Sequence, residues 1–365
     1  RWTSPKRSAP RWRRRSRCAP GPRAGRAHID GESMMRRQAS VLLLVSMVSA
    51  TVLPVFARAP GEREPSCAAT SIVLPAGARY PNGIAHAADG TLYVGLVTSG
   101  RILRKPPGGE WESFFAGSPA IFAATALRLD EPRGLLWGNS PDFLPAGRRR
   151  PHGVFALDLA TGAVRRYLTL PGDGMGNDLA VAPDGTVYLS ETRDGSLMRL
   201  RPGEPAFQVL LRDSRLAGPG GLGAAGIVRV DDDTLLVGNF GSGAIHVVEG
   251  VATRPRLREM ELPRTLENPD GMALAPDGSL IVLENAIRSG AGKVLRIAEP
   301  LAPGRRGIEV IREGLESPVN LTVTGQGCAY VSESRIRHRL LPGREGEVPA
   351  RFLIHRLPLD AAGGR

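Results

Sequence analysis

Residues 268–282 read Asn268-Pro269-Asp270-Gly271-Met272-Ala273-Leu274-Ala275-Pro276-Asp277-Gly278-Ser279-Leu280-Ile281-Val282. Two apolar segments flank an Asp-Gly pair, a pattern that predicts a strand, a tight turn and a returning strand. The pattern recurs after Asn82 and after Asn177, and in both copies the Asn stands seven residues before the Asp of an Asp-Gly pair. A pattern repeated in one frame indicates a fold built from similar units.

Three fainter copies complete the set. Ala225 stands seven residues before Asp232, and counting back from the apolar segments at 135–137 and 329–331 places two further unit starts at Thr125 and Val319. The six starts are 43, 52, 48, 45 and 49 residues apart. This period is typical of four-stranded blades, so the sequence predicts an all-β fold, a six-bladed β-propeller.

The segment 71–74 predicts how the ring of blades closes. It has the character of an outer strand, but no blade precedes it. We expect it to join the last blade, whose other strands come from the C-terminal end of the chain, because closure removes exposed sheet edges. The expected propeller therefore spans 71–359, with a lead segment at 58–70 and a tail at 360–365.

The formal net charge of +12 is concentrated ahead of the predicted propeller. Residues 1–57 carry 12 of the 48 basic residues and 2 of the 36 acidic ones, which leaves 36 basic against 34 acidic residues in the remainder. A net charge near +2 there gives no support to a nucleic-acid partner. We interpret the Arg- and Pro-rich residues 1–33 as a disordered or non-native extension.

Residues 34–57 have the pattern of a secretory signal peptide. Arg36 and Arg37 precede an apolar core at 41–45, and Val55-Phe56-Ala57 is typical of a cleavage site. The alternative is a membrane anchor, but an apolar run of about 17 residues that contains Ser, Thr and Pro is short for a membrane span. We expect a secreted or periplasmic protein without a stable membrane anchor after cleavage.

Two cysteines, Cys67 and Cys328, remain in the expected mature chain. In an exported protein they are compatible with one disulfide, and two unpaired buried thiols are the alternative. We predict that both residues lie on the last blade, at the face opposite the end of the central tunnel where the inner strands start. Their strands are not expected to be neighbours.

The start of each inner strand of a propeller lies at one mouth of the central tunnel. The six residues predicted there are Asn82, Thr125, Asn177, Ala225, Asp270 and Val319. Three of them, on alternate blades, are Asn or Asp, and the side-chain oxygens of these residues around a concave point suit Ca²⁺ or Mg²⁺. The alternative is architectural, because Asn and Asp before Gly also serve turn geometry.

A second set of polar residues follows the second strand of five blades, on the same side of the ring. Its members are Asn139, Glu191, Asn239, Glu284 with Asn285, and Glu333. So many acids and amides at one face favour a polar pocket at the mouth.

The repeat, with its Pro-Asn-Gly-Ile and Pro-Asp-Gly-Met openings, resembles the regucalcin/gluconolactonase family of six-bladed propellers over about residues 70–359. The resemblance implies that a Glu, two Asn and an Asp at inner-strand starts hold a divalent cation, commonly calcium, which promotes hydrolysis of lactones or phosphoesters with an acidic residue. By motif, Asp270 in Pro269-Asp270-Gly271-Met272 matches the family Asp, and Asn177 matches a family Asn. The resemblance thus implies Asp270 as the catalytic residue and Asn177, Asp270 and Asn82 as metal ligands.

Two positions depart from the family pattern. The first-blade Glu is Asn82 here, and the fourth-blade Asn is Ala225. A single carboxylate attracts a dication weakly, and an amide cannot accept a proton at neutral pH. Five residues are therefore candidates to support the site: Asp178, Glu191, Asn239, Glu284 and Glu333.

Two functions follow from these residues. The first is an exported, metal-dependent hydrolase that acts on a lactone or related ester, with a small molecule as its partner. The alternative is a non-catalytic secreted propeller that binds a small ligand or a protein. The sequence contains neither a nucleophile elbow after a strand nor a Cys-His arrangement that favours another hydrolase mechanism.

Overall fold

The computed structural model describes residues 67–144, 150–172 and 174–359. The predicted extension, the signal peptide, most of the lead segment and the tail therefore lie outside the described residues. Within this part of the chain, 24 strands form six four-stranded antiparallel sheets. The prediction of a six-bladed β-propeller is confirmed.

Each blade runs from an inner strand at the tunnel outward through consecutive strands. Blade 1 contains β2 (Pro81–His86), β3 (Leu92–Leu96), β4 (Ile102–Lys105) and β5 (Glu112–Phe115). Blade 2 contains β6 (Thr125–Asp130), β7 (Leu135–Ser140), β8 (Gly153–Asp158) and β9 (Val164–Thr169). Blade 3 contains β10 (Gly176–Val181), β11 (Val187–Glu191), β12 (Ser196–Leu200) and β13 (Gln208–Arg212). Blade 4 contains β14 (Ala224–Arg229), β15 (Thr234–Asn239), β16 (Ile245–Glu249) and β17 (Arg256–Glu259). Blade 5 contains β18 (Pro269–Leu274), β19 (Leu280–Glu284), β20 (Gly292–Ile297) and β21 (Glu309–Leu315).

Blade 6 combines both ends of the described chain. From the tunnel outward it contains β22 (Pro318–Val323), β23 (Cys328–Glu333), β24 (Leu353–Pro358) and β1 (Thr70–Val73). Strand β1 pairs with β24 in antiparallel register, with Thr70 opposite Arg356. The predicted closure of the ring by the N-terminal strand is therefore confirmed.

The Asp-Gly pairs form the turns that the sequence predicts. Asp277 Oδ1 accepts hydrogen bonds from the Ser279 amide at 2.9 Å and the Ser279 hydroxyl at 2.6 Å. Gly278 has a φ of 81°, a left-handed conformation that glycine adopts without steric cost. The Asp holds the turn and the Gly permits its backbone, which is why this pair recurs between the first two strands of a blade.

The core lies between the blades. Six clusters of buried apolar side chains each join two neighbouring sheets, and the cluster that contains Ile84 and Ile354 joins blade 1 to blade 6. Second strands such as β11 and β19 are buried along their whole length, because a neighbouring blade covers each of their faces. The outermost strands are largely exposed.

Helix is scarce in the described residues. It comprises two short 3₁₀ turns and one turn of α-helix, α1 (Arg337–Leu340), in the connection from β23 to β24. None of these segments is long or apolar enough to cross a membrane.

Cys67 and Cys328 form a disulfide with a Cα–Cα distance of 5.6 Å. Strand β24 separates their strands, but Cys67 lies three residues ahead of β1 and outside the sheet. The chain can therefore pass the end of β24 to reach the first residue of β23.

Candidate functional site

A cavity of about 410 Å³ opens at the end of the tunnel where the inner strands begin. Five of the six predicted strand-start residues line it: Asn82, Thr125, Asn177, Asp270 and Val319. Ala225 is fully buried and is not one of the lining residues. The three oxygen-bearing residues proposed as metal ligands therefore share one cavity, and their role toward a metal stays a prediction.

Every inner strand has an irregular register close to its start. The shift falls between Gly176 and Leu179 in β10 and between Pro269 and Met272 in β18, with equivalents in the other four blades. Such bulges re-aim side chains at functional sites. The residue after Asp270 is a glycine, Gly271, because the backbone of blade 6 lies too close for a side chain. A Cβ atom at Gly271 would lie 2.7 Å from Asn320 Cα.

Asp270 lines the cavity with a carboxyl group. Its Oδ2 atom accepts a hydrogen bond of 2.8 Å from Asn285 Nδ2, and Oδ1 accepts none from the described residues. Burial raises the pKa of Asp270 to about 7; the Asn285 hydrogen bond opposes this shift, and the negative charge of Asp178 adds to it. A carboxyl that titrates near neutral pH can hold or release a proton in this cavity.

Several neutral polar atoms of the cavity have no partner in the described chain. The side-chain amides of Asn82 and Asn177 form no hydrogen bond there, although both residues line the cavity. Thr192 Oγ1 and Asn285 Oδ1 are buried without a hydrogen-bond partner. Because buried polar atoms are normally satisfied, these groups indicate a place for a polar ligand or for water.

Beneath the cavity, Arg128 of blade 2 reaches two other blades. Its guanidinium group lies 2.8 Å from the Asp178 carboxylate of blade 3 and donates a hydrogen bond of 3.2 Å to Asn320 Oδ1 of blade 6. The Asp178 carboxylate also accepts hydrogen bonds from the backbone amides of Leu179, at 2.8 Å, and Ile227, at 3.3 Å. Burial raises the pKa of the Asp178 carboxyl, and Arg128 acts in the opposite direction. Asp178 therefore ties blades together rather than lining the cavity.

The acids that follow the second strands do not form the polar pocket that the sequence predicted. Glu191 accepts the backbone amides of Met175, Arg193 and Asp194 at 2.8 to 3.0 Å. Glu284 accepts the Glu267 amide and is paired with Arg264. Burial alone would raise the pKa of Glu284, but the hydrogen bonds from the Arg264 side chain and the Glu267 amide hold it below its ordinary value.

The side chains of Glu333, Asn239 and Asn139 also form hydrogen bonds with neighbouring protein groups. Glu333 accepts the Glu316 amide at 2.8 Å and contacts His355 Nε2 at 3.0 Å. Asn239 accepts the amides of the turn that follows it, and Asn139 donates to the Asn177 carbonyl at 2.9 Å. These side chains fix the loops around the mouth, and of the whole set only Asn285 lines the cavity.

The donor chemistry of the mouth fits a hard divalent cation. Asn82, Asn177 and Asp270 offer oxygen atoms that the described chain leaves available, and no cationic side chain of the described residues pairs with Asp270. The described residues contain no cluster of three or more His, Cys, Asp or Glu side chains that could hold a metal ion. A cation held by these three residues would therefore keep other ligand positions for water or substrate.

Sequence reasoning missed Arg128 and Thr192, and it named Asn285 only as a neighbour of Glu284. A signal for Arg128 is present in the repeat frame. The residues three positions after the six strand starts predicted from the sequence are Ala85, Arg128, Ala180, Val228, Ala273 and Thr322. One arginine among small uncharged residues at this level indicates a side chain that crosses the tunnel.

No protein-family model and no curated protein matches the sequence. Among solved structures, a gluconolactonase from Xanthomonas campestris matches with a TM-score of 0.55 and 18% identity over 80% of this chain and 90% of its own. A putative gluconolactonase matches with a TM-score of 0.55 and 15% identity over 80% and 92% of the two chains. Virginiamycin B lyase from Staphylococcus aureus matches with a TM-score of 0.54 and 14% identity over 80% and 99%. At identities of 14 to 18% the likeness shows the fold alone, and the chain shares a propeller fold with these gluconolactonases and with virginiamycin B lyase.

Proposed function

We propose that the protein is a hydrolase of lactones or related esters whose reaction takes place in the mouth cavity and depends on a divalent cation, with calcium the first candidate. The observation that carries this proposal is Asp270, whose pKa is raised to about 7 within a cavity of about 410 Å³. This pKa is that of the metal-free protein; a bound cation would lower it and hold Asp270 as the carboxylate, the form that accepts a proton during hydrolysis. The gluconolactonases that share the fold support the same reaction class.

In this proposal Asn285 orients another residue, whereas Asp270, Asn82 and Asn177 each act on both the substrate and the cation. Asn285 fixes the orientation of the Asp270 carboxyl through the 2.8 Å bond to Oδ2, so Oδ1 faces the reaction. Asp270 would accept a proton as water attacks the carbonyl carbon, and would return it to the leaving alkoxide as the ring opens. The amides of Asn82 and Asn177 would position the substrate. A cation held by Asn82, Asn177 and Asp270 would supply polarisation of the carbonyl group.

The experiment compares Asp270→Asn with Asp277→Asn, which alters a turn aspartate of the same hairpin outside the cavity. Calcium content, hydrolysis of glucono-δ-lactone and other lactones, and melting temperature with EDTA or calcium are measured for both variants and the parent. We expect Asp270→Asn to fold but to lose hydrolysis and the calcium-induced rise in stability, which is about 2.7 kcal/mol at 100 times the dissociation constant. Full activity of the EDTA-treated parent, together with an unchanged calcium response of Asp270→Asn, would refute the proposal.

A non-catalytic binding propeller is the second candidate. It is favoured by one observation, the presence of a single carboxylate among the six strand-start residues. The same measurements separate the two functions. Binding of ligands by parent protein that hydrolyses no lactone under any metal condition would favour the binding propeller.

We also infer export. The signal sequence itself lies outside the described residues, but the disulfide between Cys67 and Cys328 supports an oxidising compartment, because such bonds are rare in the reducing cytosol. N-terminal sequencing of the protein recovered outside the producing cells tests this inference. A start near Arg58 is expected, and an intact product that begins at or before Met34 would overturn it.

A further inference from the structure

The mouth cavity is lined by two kinds of segment. The inner-strand starts, here called its floor, contribute mostly polar side chains, and the connections between strands, here called its walls, contribute mostly apolar ones. Its walls carry Phe143, Met175, Leu222, Phe240, Ile287 and Leu340. Leu222 and Leu340 are 46% and 37% exposed. They therefore present apolar surface at the rim that a bound molecule could cover.

Long connections on one face of the ring build these walls. Phe143 lies between β7 and β8, Leu222 lies between β13 and β14, and Leu340 ends α1 in the connection from β23 to β24. Arginine side chains fasten two of these connections. The Arg150 side chain donates two hydrogen bonds to the Asp142 carboxylate, and Arg337 donates to the carbonyl groups of Ile287 and Arg288 at 2.6 and 2.8 Å. The walls are therefore built parts of the cavity.

The floor collects the polar atoms. Asp270, Asn82 and Asn177 line the cavity there, and Thr192 Oγ1 and Asn285 Oδ1, which lack a hydrogen-bond partner among the described residues, belong to the same lining. A ligand that satisfies both parts has one compact group of oxygen or nitrogen atoms and an apolar remainder. A polyhydroxylated ligand would bury hydroxyl groups against the apolar walls without partners, which is unfavourable.

We propose that this site selects amphipathic lactones or esters, with a ring or acyl group at the polar floor and an alkyl or aryl body against the apolar walls, over sugar lactones. This inference rests on the proposed hydrolase function and narrows its substrate class. Leu222 and Phe240 are the specificity-determining residues in this inference, because blade 4 contributes both to the cavity lining, beside Ile287 of blade 5 and Leu340 of blade 6.

The first test measures kcat/KM for γ-butyrolactone, γ-hexalactone, γ-octalactone and γ-decalactone beside glucono-δ-lactone. Each methylene group that the walls cover is expected to raise kcat/KM by up to about fourfold, until the chain extends beyond the cavity. Leu222→Ala is expected to flatten this dependence on chain length. Val209→Ala, which alters an apolar residue of β13 that is 52% exposed and remote from the cavity, is the control and should keep it.

The second test separates ligand class from catalysis. Calorimetry measures binding of γ-lactams with the same alkyl chains, which keep the polar ring but resist hydrolysis. Tighter binding with increasing chain length, without hydrolysis of any lactone, would support the amphipathic ligand class and refute the hydrolase proposal. Hydrolysis that is fastest with glucono-δ-lactone and independent of alkyl length would refute the inference while the hydrolase proposal stands. If lactams do not bind and lactones are not hydrolysed, both are wrong.

Discussion

The guanidinium group of Arg128 lies 2.8 Å from the carboxylate of Asp178, and this ion pair joins blade 2 to blade 3 beneath the mouth cavity. Arg128 also bonds to Asn320 of blade 6, so one side chain connects three blades around the tunnel. The pair supports the floor on which the candidate site rests.

Arg128→Met should destabilise the fold by about 3 kcal/mol, because it leaves the buried Asp178 carboxylate without its cation. The free energy of urea unfolding measures the loss. Arg165→Met removes an arginine from the exposed pair with Asp158 and should cost less than about 1 kcal/mol. Equal losses in the two variants would show that Arg128 has no special structural role.

The fold could be predicted because the sequence repeats one frame. The predicted strand starts at 82, 125, 177, 225, 270 and 319 each lie within one residue of the observed starts of β2, β6, β10, β14, β18 and β22. The turn Asp and Gly serve local geometry and so recur in recognisable form. Placing the same frame position on each blade also brought Asn82, Asn177 and Asp270 to one cavity.

The rest of the site could not be predicted because its contacts cross the repeats. Arg128 meets partners 50 and 192 residues away, and the spacing within a blade says nothing about that reach. The second-strand acids were placed at the correct end of their blades, but spacing does not give side-chain direction. Glu191 and Glu284 turn toward backbone amides that need acceptors and away from the cavity.

Removal of the disulfide should lower stability. Cys67 and Cys328 close a loop with a sequence separation of 261 residues, so the unfolded chain gains much conformational freedom when the bond is absent. Cys67→Ser should cost about 2 to 5 kcal/mol in urea unfolding, as is typical of native disulfides. Reduction of the parent protein should give the same loss. Titration of two free thiols in unreduced, unfolded protein would contradict the bond.

Asp270 should make the metal-free protein less stable as pH rises toward 7. The folded pKa of about 7 lies above the ordinary value of 3.8, so the native state binds a proton more tightly than the unfolded state does. The contribution of Asp270 is therefore fully present below pH 4 and is lost as pH rises to about 7. The unfolding free energy of the parent minus that of Asp270→Asn, measured in EDTA, should decrease as pH rises from 4 to about 7 and be constant at higher pH. A difference independent of pH would contradict the raised pKa.

Calcium affinity should have the opposite dependence on pH. A cation binds the ionised Asp270 carboxylate, so below the pKa each binding event displaces one proton and protons compete with calcium. Calorimetric affinity should rise by about tenfold per pH unit between pH 5 and 6.5 and become constant above pH 8. Asn285→Ala removes the hydrogen bond that stabilises the charged carboxyl, and the plateau should then be reached at a higher pH. Asp270→Asn should bind weakly and without this slope. An affinity that is the same at pH 5.5 and pH 8 in the parent protein would show that calcium, where it binds, does not bind through Asp270.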